Sequence, residues 1–161
     1  DDENTDSLSK PTKVIGMKWK PQDDCFSFEQ YANLAQEDVL MTKRSISSIV
    51  PKIYDINGYL AGFTLRGKVL LQKCWTYKDP DTGDAVGWDN ELPQSIATEF
   101  KEWIQDIPEA SKHRVSRYLF GVDENGELRP PPPMEECELH GFGYSGALAW
   151  ATAIYSRFLI D

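Results

Sequence analysis

A chain of 161 residues, 40% hydrophobic and 12% aromatic, can bury the core of one or two compact units, which excludes a disordered acidic tail. No run of about eighteen apolar residues is present, so no helix is expected to span a membrane, and no basic-then-apolar leader marks a secretory signal. The formal charge of −9 argues against a uniformly basic nucleic-acid binder.

That charge is unevenly spread. Between Met41 and Lys78 stand seven Lys and Arg (Lys43, Arg44, Lys52, Arg66, Lys68, Lys73, Lys78) against the single acid Asp55, a local +6 in an acidic chain. A polyanion could dock at such a block. Cys25, Cys74 and Cys137 are scattered and odd in number, with no C-x-x-C and two histidines, so reduced thiols in an intracellular protein are expected and a structural zinc site is not. The opening DDENTD carries no Met, which suggests an excerpt of something longer.

In chain order, residues 1–10 read as a polar linker. VIGMKW (14–19) and CFSFEQY (25–31) alternate as the two strands of a β-hairpin, with Gly16 marking a bulge or a close backbone approach. Thr42 is a good N-cap for a helix whose apolar positions are Ile46, Ile49, Val50 and Ile53, and Pro51 should end or kink it near Val50. Asp55-Ile56-Asn57-Gly58 is a turn. A second helix from Phe63 is expected to bury Leu65, Val69, Leu70 and Trp75, with Arg66, Lys68 and Lys73 on other faces. The helix pair would then close one side and present a basic one.

Residues 78–91 are loop chemistry, and Pro93 to Ile107 is an amphipathic helix with Ile96, Phe100, Trp103, Ile104 and Ile107 on its apolar face. Residues 114–122 read as a strand and 123–133 as a turn and polyproline linker. Residues 138–142 form a short strand, 143–146 a turn and 148–157 a second apolar run.

Three motifs tempt. Asp81-Thr82-Gly83 matches the triplet of aspartic peptidases, which need the Asp on a turn after an apolar strand and a second carboxylate to share its proton, but here no apolar strand precedes it. GFGYSG (141–146) spells a dinucleotide fingerprint with only fifteen residues after it. Ser145 in GYSGA lacks a downstream histidine, since His113 and His140 both precede it.

Four blocks in order, VIGMKWKPQDDCFSF, TKRSISSIVPKIYDINGYLAGFTLRGKVLLQKCW, ELPQSIATEFKEWIQDI and ELHGF, resemble the pol polyprotein of BEL/Pao-type retrotransposons, over nearly all of residues 12–157. The resemblance implies a stretch of reverse transcriptase running into ribonuclease H. Its expected fold is α+β: a β-hairpin, a basic two-helix thumb, a connection helix, and a β-hairpin beginning an incomplete ribonuclease H-like sheet. The implied segments are 1–40 (end of the palm, with the primer grip), 41–78 (thumb), 79–133 (connection) and 134–161 (truncated ribonuclease H-like start).

The implied partners are a template–primer duplex of RNA and DNA and the rest of the polyprotein. Gly16, Met17, Lys18 and Trp19 (with Ile15) would contact nucleic acid at the primer grip, and Lys43, Arg44, Arg66, Lys68 and Lys73 along the thumb, through backbone electrostatics. Tyr144 occupies the place of the family's first ribonuclease H aspartate, and a phenol cannot replace a carboxylate on a hard cation. No catalytic residue, metal site or cofactor is therefore expected in this segment, although the parent polymerase would need Mg. The competing expectations are a domesticated, non-catalytic scaffold derived from such an element and, behind it, an aspartic peptidase using Asp81.

Overall fold

The structure is a computed structural model that describes residues 11–14, 16–35 and 39–158. It is a mixed α and β fold in two compact units, residues 1–117 and 118–161. The expected linker at 1–10 and the primer-grip position Ile15 lie outside the described residues.

In the first unit, strands β1 (Thr12–Val14), β2 (Met17–Lys20), β3 (Cys25–Ser27) and β4 (Arg114–Ser116) form an antiparallel sheet in that order. The run 14–19 is not one strand. Gly16 takes φ +81° and reverses the chain between β1 and β2, a conformation open to glycine at little cost. Its other role is the expected close approach: a Cβ there would run into the Tyr54 ring. The Gly16 carbonyl accepts from Gln30 Nε2 (3.2 Å), and the single proton of the Tyr31 hydroxyl is shared between Gly16 O (2.9 Å) and Tyr54 O (3.0 Å). Residues 29–34 form a 3-10 turn, not the end of a strand.

Helix α1 (Lys43–Ile49) starts where expected, with the Thr42 hydroxyl accepting from Ser45 N at 3.2 Å. Pro51 does what its missing N–H dictates: the helix gives way to a 3-10 turn over Val50–Lys52. Asp55 then closes the turn ahead of the next helix, its carboxylate accepting from Tyr59 N (2.9 Å) and Leu60 N (2.6 Å).

Helix α2 (Ala61–Thr76) buries Thr64, Gly67, Leu70 and Cys74, a line rotated from the expected one. Leu65 and Trp75 are 40% and 53% exposed instead. The cause is Gly67, whose missing side chain admits Trp103 of α3 (Gln94–Ala110). Trp103 is fully buried, donates from Nε1 to Phe63 O at 3.0 Å, and stacks on Phe63 at 5.0 Å between centroids. The apolar face expected of α3 is buried in full, as Ile96, Phe100, Trp103, Ile104 and Ile107. One core joins these residues to Met17, Phe28, Tyr31, Ile46, Ile49 and Leu70.

The second unit is a two-stranded ribbon, β5 (Cys137–Ser145) against β6 (Trp150–Phe158), longer than the strand expected and turning at 146–149. The expected strand at 114–122 ends at Ser116.

A Cβ on Gly67 would come within 2.8 Å of the Trp103 ring and 3.2 Å of Val50 Cγ1. Gly67→Ala is expected to lose about 1–3 kcal/mol, the usual cost of overpacking. Trp103→Ala should lose about 3–5 kcal/mol. Thermal melts check both, and an unchanged melting temperature for Gly67→Ala would contradict this packing.

Candidate nucleic-acid interface

The residues expected to meet nucleic acid fall into three environments. Met17 and Lys43 are buried, at 1% and 5% exposure. Lys43 Nζ donates to Val86 O at 3.0 Å and lies 4.7 Å from the centre of the Trp75 ring. A lysine so enclosed cannot reach a phosphate without unfolding its surroundings, and Met17 is a core residue. Both are withdrawn from the expected interface. Gly16 keeps its carbonyl for Tyr31 and Gln30, and Trp19 donates from Nε1 to Asp24 Oδ1 at 3.0 Å with Arg117 over its ring.

A second group is exposed but already paired. Arg44 grips Asp89 with two bonds, Nε to Oδ1 at 2.6 Å and Nη2 to Oδ2 at 2.9 Å. Arg66 Nη1 meets Asp106 at 2.8 Å, and Lys73 Nζ meets both oxygens of Glu99 at 2.6 and 2.8 Å. Arg66 and Lys73 are seven residues apart on α2, so they share an edge, and Glu99 and Asp106 are seven apart on α3. The antiparallel helices thus zip a basic edge onto an acidic one.

The third group has no carboxylate among the described residues. Lys18 sits on β2 directly opposite Lys13 of β1, a like-charged pair that costs a little stability and gains from an anion. Lys68 lies about 200° around α2 from Arg66, on the opposite edge. There it lines an open groove of about 310 Å³ with Tyr54, Ile56, Pro51 and Leu71. The expected single basic face is therefore two edges, one bound to α3 and one open. A count along the chain could not show this, because Asp89, Glu99 and Asp106 lie outside the basic block and are folded against it.

Tyr54 links the open groove to the sheet, since the ring that lines the groove with Lys68 is also the one lying over Gly16. Sequence reasoning passed over Tyr54. The only signal for it was an exposed aromatic beside the Asp55 turn.

On the ribbon, Tyr144 pairs with Ala151 and is 76% exposed. His140 meets Glu138 at 3.0 Å, and Arg157 meets the same carboxylate at 3.7 Å. Among the described residues no group of three or more His, Cys, Asp or Glu could hold a metal ion. Asp81 is exposed on a loop whose turn is built by Asp79, which accepts from Asp81 N and Thr82 N at 2.9 Å each. Gly141 and Gly143 are strand residues with no phosphate-cradling turn around them. Cys25 and Cys74 are buried free thiols, and Cys137 is partly buried. No helix among the described residues is long and apolar enough to cross a membrane.

The hydrogen bonds from Arg44 hold the Asp89 carboxyl below its ordinary value of 3.8, against a smaller opposing effect of burial. With the folded value lowered, the pair's contribution is present above the ordinary aspartate range and is lost as pH falls through the lowered value. Arg44→Gln should therefore raise the Asp89 midpoint back toward 3.8, read from its side-chain carbonyl resonance in an NMR titration. An unmoved midpoint would contradict the pairing.

One family model, the Pao retrotransposon-like RNaseH-like domain, matches residues 42–161. No curated protein and no solved structure matches the chain. The matched stretch begins at the Thr42 cap and takes in both helices of the basic block, α3 and the ribbon. By that match over most of its length, the chain belongs to the Pao retrotransposon-like RNaseH-like domain family and is a segment of a BEL/Pao retrotransposon pol protein.

Proposed function

We propose that this segment serves the pol protein as a non-catalytic duplex-holding module, touching template–primer RNA/DNA through its sugar-phosphate backbone. The observation that carries the reading is that two of the cations expected at the interface, Lys18 and Lys68, meet no carboxylate among the described residues, and that Tyr54, whose ring lies over Gly16, lines a groove with Lys68. In this reading the sheet turn is the primer-grip end of a palm, α1 and α2 are the thumb, and α3 belongs to the connection. Contacts of this kind read helix shape and charge, not base sequence.

Tyr144 supports the non-catalytic part. Two-metal hydrolysis needs carboxylate oxygens around the ions, and a phenol at that place does not replace one. Magnesium would belong to the polymerase portion of the parent protein. The peptidase alternative has little to stand on, because Asp81 is solvated on an Asp79-built turn and lacks the close, proton-sharing carboxylate such chemistry requires.

A second reading, a domesticated scaffold, is favoured by one observation. The ribbon exposes Leu139, Trp150 and Ile154 on one face and Phe142 and Tyr155 on the other, each at 59% or more, apolar side chains suited to protein contact.

Fluorescence anisotropy with a labelled RNA–DNA hybrid separates the two. Duplex holding predicts binding at about 50 mM salt that weakens roughly tenfold by 200 mM, the loss for two phosphate contacts. Lys68→Gln should weaken binding to matched and scrambled duplexes alike. Absence of binding at 50 mM would reject duplex holding and leave the scaffold.

A further inference from the structure

The α2–α3 edge has a geometry that neither reading uses. Arg66 and Lys73 stand two helical turns apart, roughly 10 Å along α2, with their side chains 53% and 45% exposed. Each is aimed at a single carboxylate on the neighbouring helix, Asp106 and Glu99, and those carboxylates are themselves 53% and 47% exposed. Glu102, between them on the same face of α3, is exposed and has no cation among the described residues. Arg44 repeats the arrangement with Asp89, both side chains more than 60% exposed.

Ion pairs this exposed contribute little to stability. What they do change is the field seen by an approaching polyanion. A carboxylate two or three ångströms from a guanidinium or ammonium group occupies the position a phosphate oxygen would take. It also adds a negative charge that repels the rest of the strand.

We propose that Glu99 and Asp106 act as built-in phosphate mimics, making the α2–α3 edge a latent second surface for nucleic-acid backbone. In the isolated segment Arg66 and Lys73 are held in reserve, and duplex contact rests on Lys18 and Lys68. A phosphodiester backbone engages the edge by exchanging with the two carboxylates, so the acids set how weakly and how salt-sensitively the module holds its duplex. The inference rests on the duplex-holding reading and specifies a site within it.

The test is the full chain with Glu99→Gln and Asp106→Asn, titrated with the same RNA–DNA hybrid across salt. A matched control, Asp81→Asn with Asp84→Asn, removes the same charge from the exposed 79–91 loop. The edge variant should bind at least tenfold more tightly at about 50 mM salt than the wild type. Its plot of log affinity against log salt should steepen by about 1 to 2, up to 0.9 for each phosphate newly engaged. The control should gain much less, and adding Arg66→Gln and Lys73→Gln to the edge variant should cancel its gain.

Equal gains in edge variant and control would overturn the proposal, since net charge alone would then explain them. An edge variant indistinguishable from a wild type that binds would overturn it while leaving duplex holding intact. Failure of both proteins to bind, with unchanged thermal melts, would overturn duplex holding as well.

Discussion

The first unit depends on one close crossing, the passage of α3 over α2 at Gly67. Without a side chain at that position the Trp103 ring can lie against the α2 backbone, where its indole nitrogen finds the Phe63 carbonyl at 3.0 Å. A fully buried tryptophan needs such a partner, because an indole N–H left without an acceptor in a dry core forfeits much of the gain from burying the ring. The crossing also fixes the rotation of α2 about its axis. That rotation decides which residues are core and which are edge.

From this rotation the electrostatics follow. With Gly67 and Leu70 facing α3 and the core, Arg66 and Lys73 fall on the edge beside α3, and Lys68 falls on the edge beside the Pro51 turn. Of the expected line Leu65, Val69, Leu70 and Trp75, Leu70 is buried, but had Leu65 and Trp75 been buried with it the cations would have been placed differently. A single buried glycine therefore determines whether the basic block is one polyanion surface or two edges of opposite availability. Pro51, expected to end or kink the first helix, is accommodated by a short 3-10 turn, and Asp55 closes the turn that leads into α2.

What could be read from the sequence was whatever local chemistry decides. The Thr42 cap, the stop at Val50, the turn at Asn57-Gly58 and the whole apolar face of α3 depend on neighbours within a turn or two, and the structure has all of them. The rest depended on contacts distant in sequence. The α2 phase was missed because a glycine scores as neutral, although its lack of a side chain is what Trp103 requires. Lys43 was misplaced because nothing near it in sequence signals that Val86 and Trp75 will enclose it. The local +6 was a true count and a poor map, since acids 26 to 45 residues from their partners fold against it.

The family match and the geometry bear on different levels of the question. The match places the chain in a retrotransposon pol protein without saying which of its surfaces meet nucleic acid. The geometry narrows that by subtraction: Lys43 and Met17 are enclosed, and Arg44, Arg66 and Lys73 are already answered by carboxylates. Lys18 and Lys68 remain, joined through Gly16 and Tyr54. The duplex-holding proposal calls for contacts that are shallow and exchangeable, and exposed pairs of lysine or arginine with carboxylate have that character. Under the duplex-holding proposal, the exchangeable pairs and the net charge of −9 would both weaken the hold on a duplex.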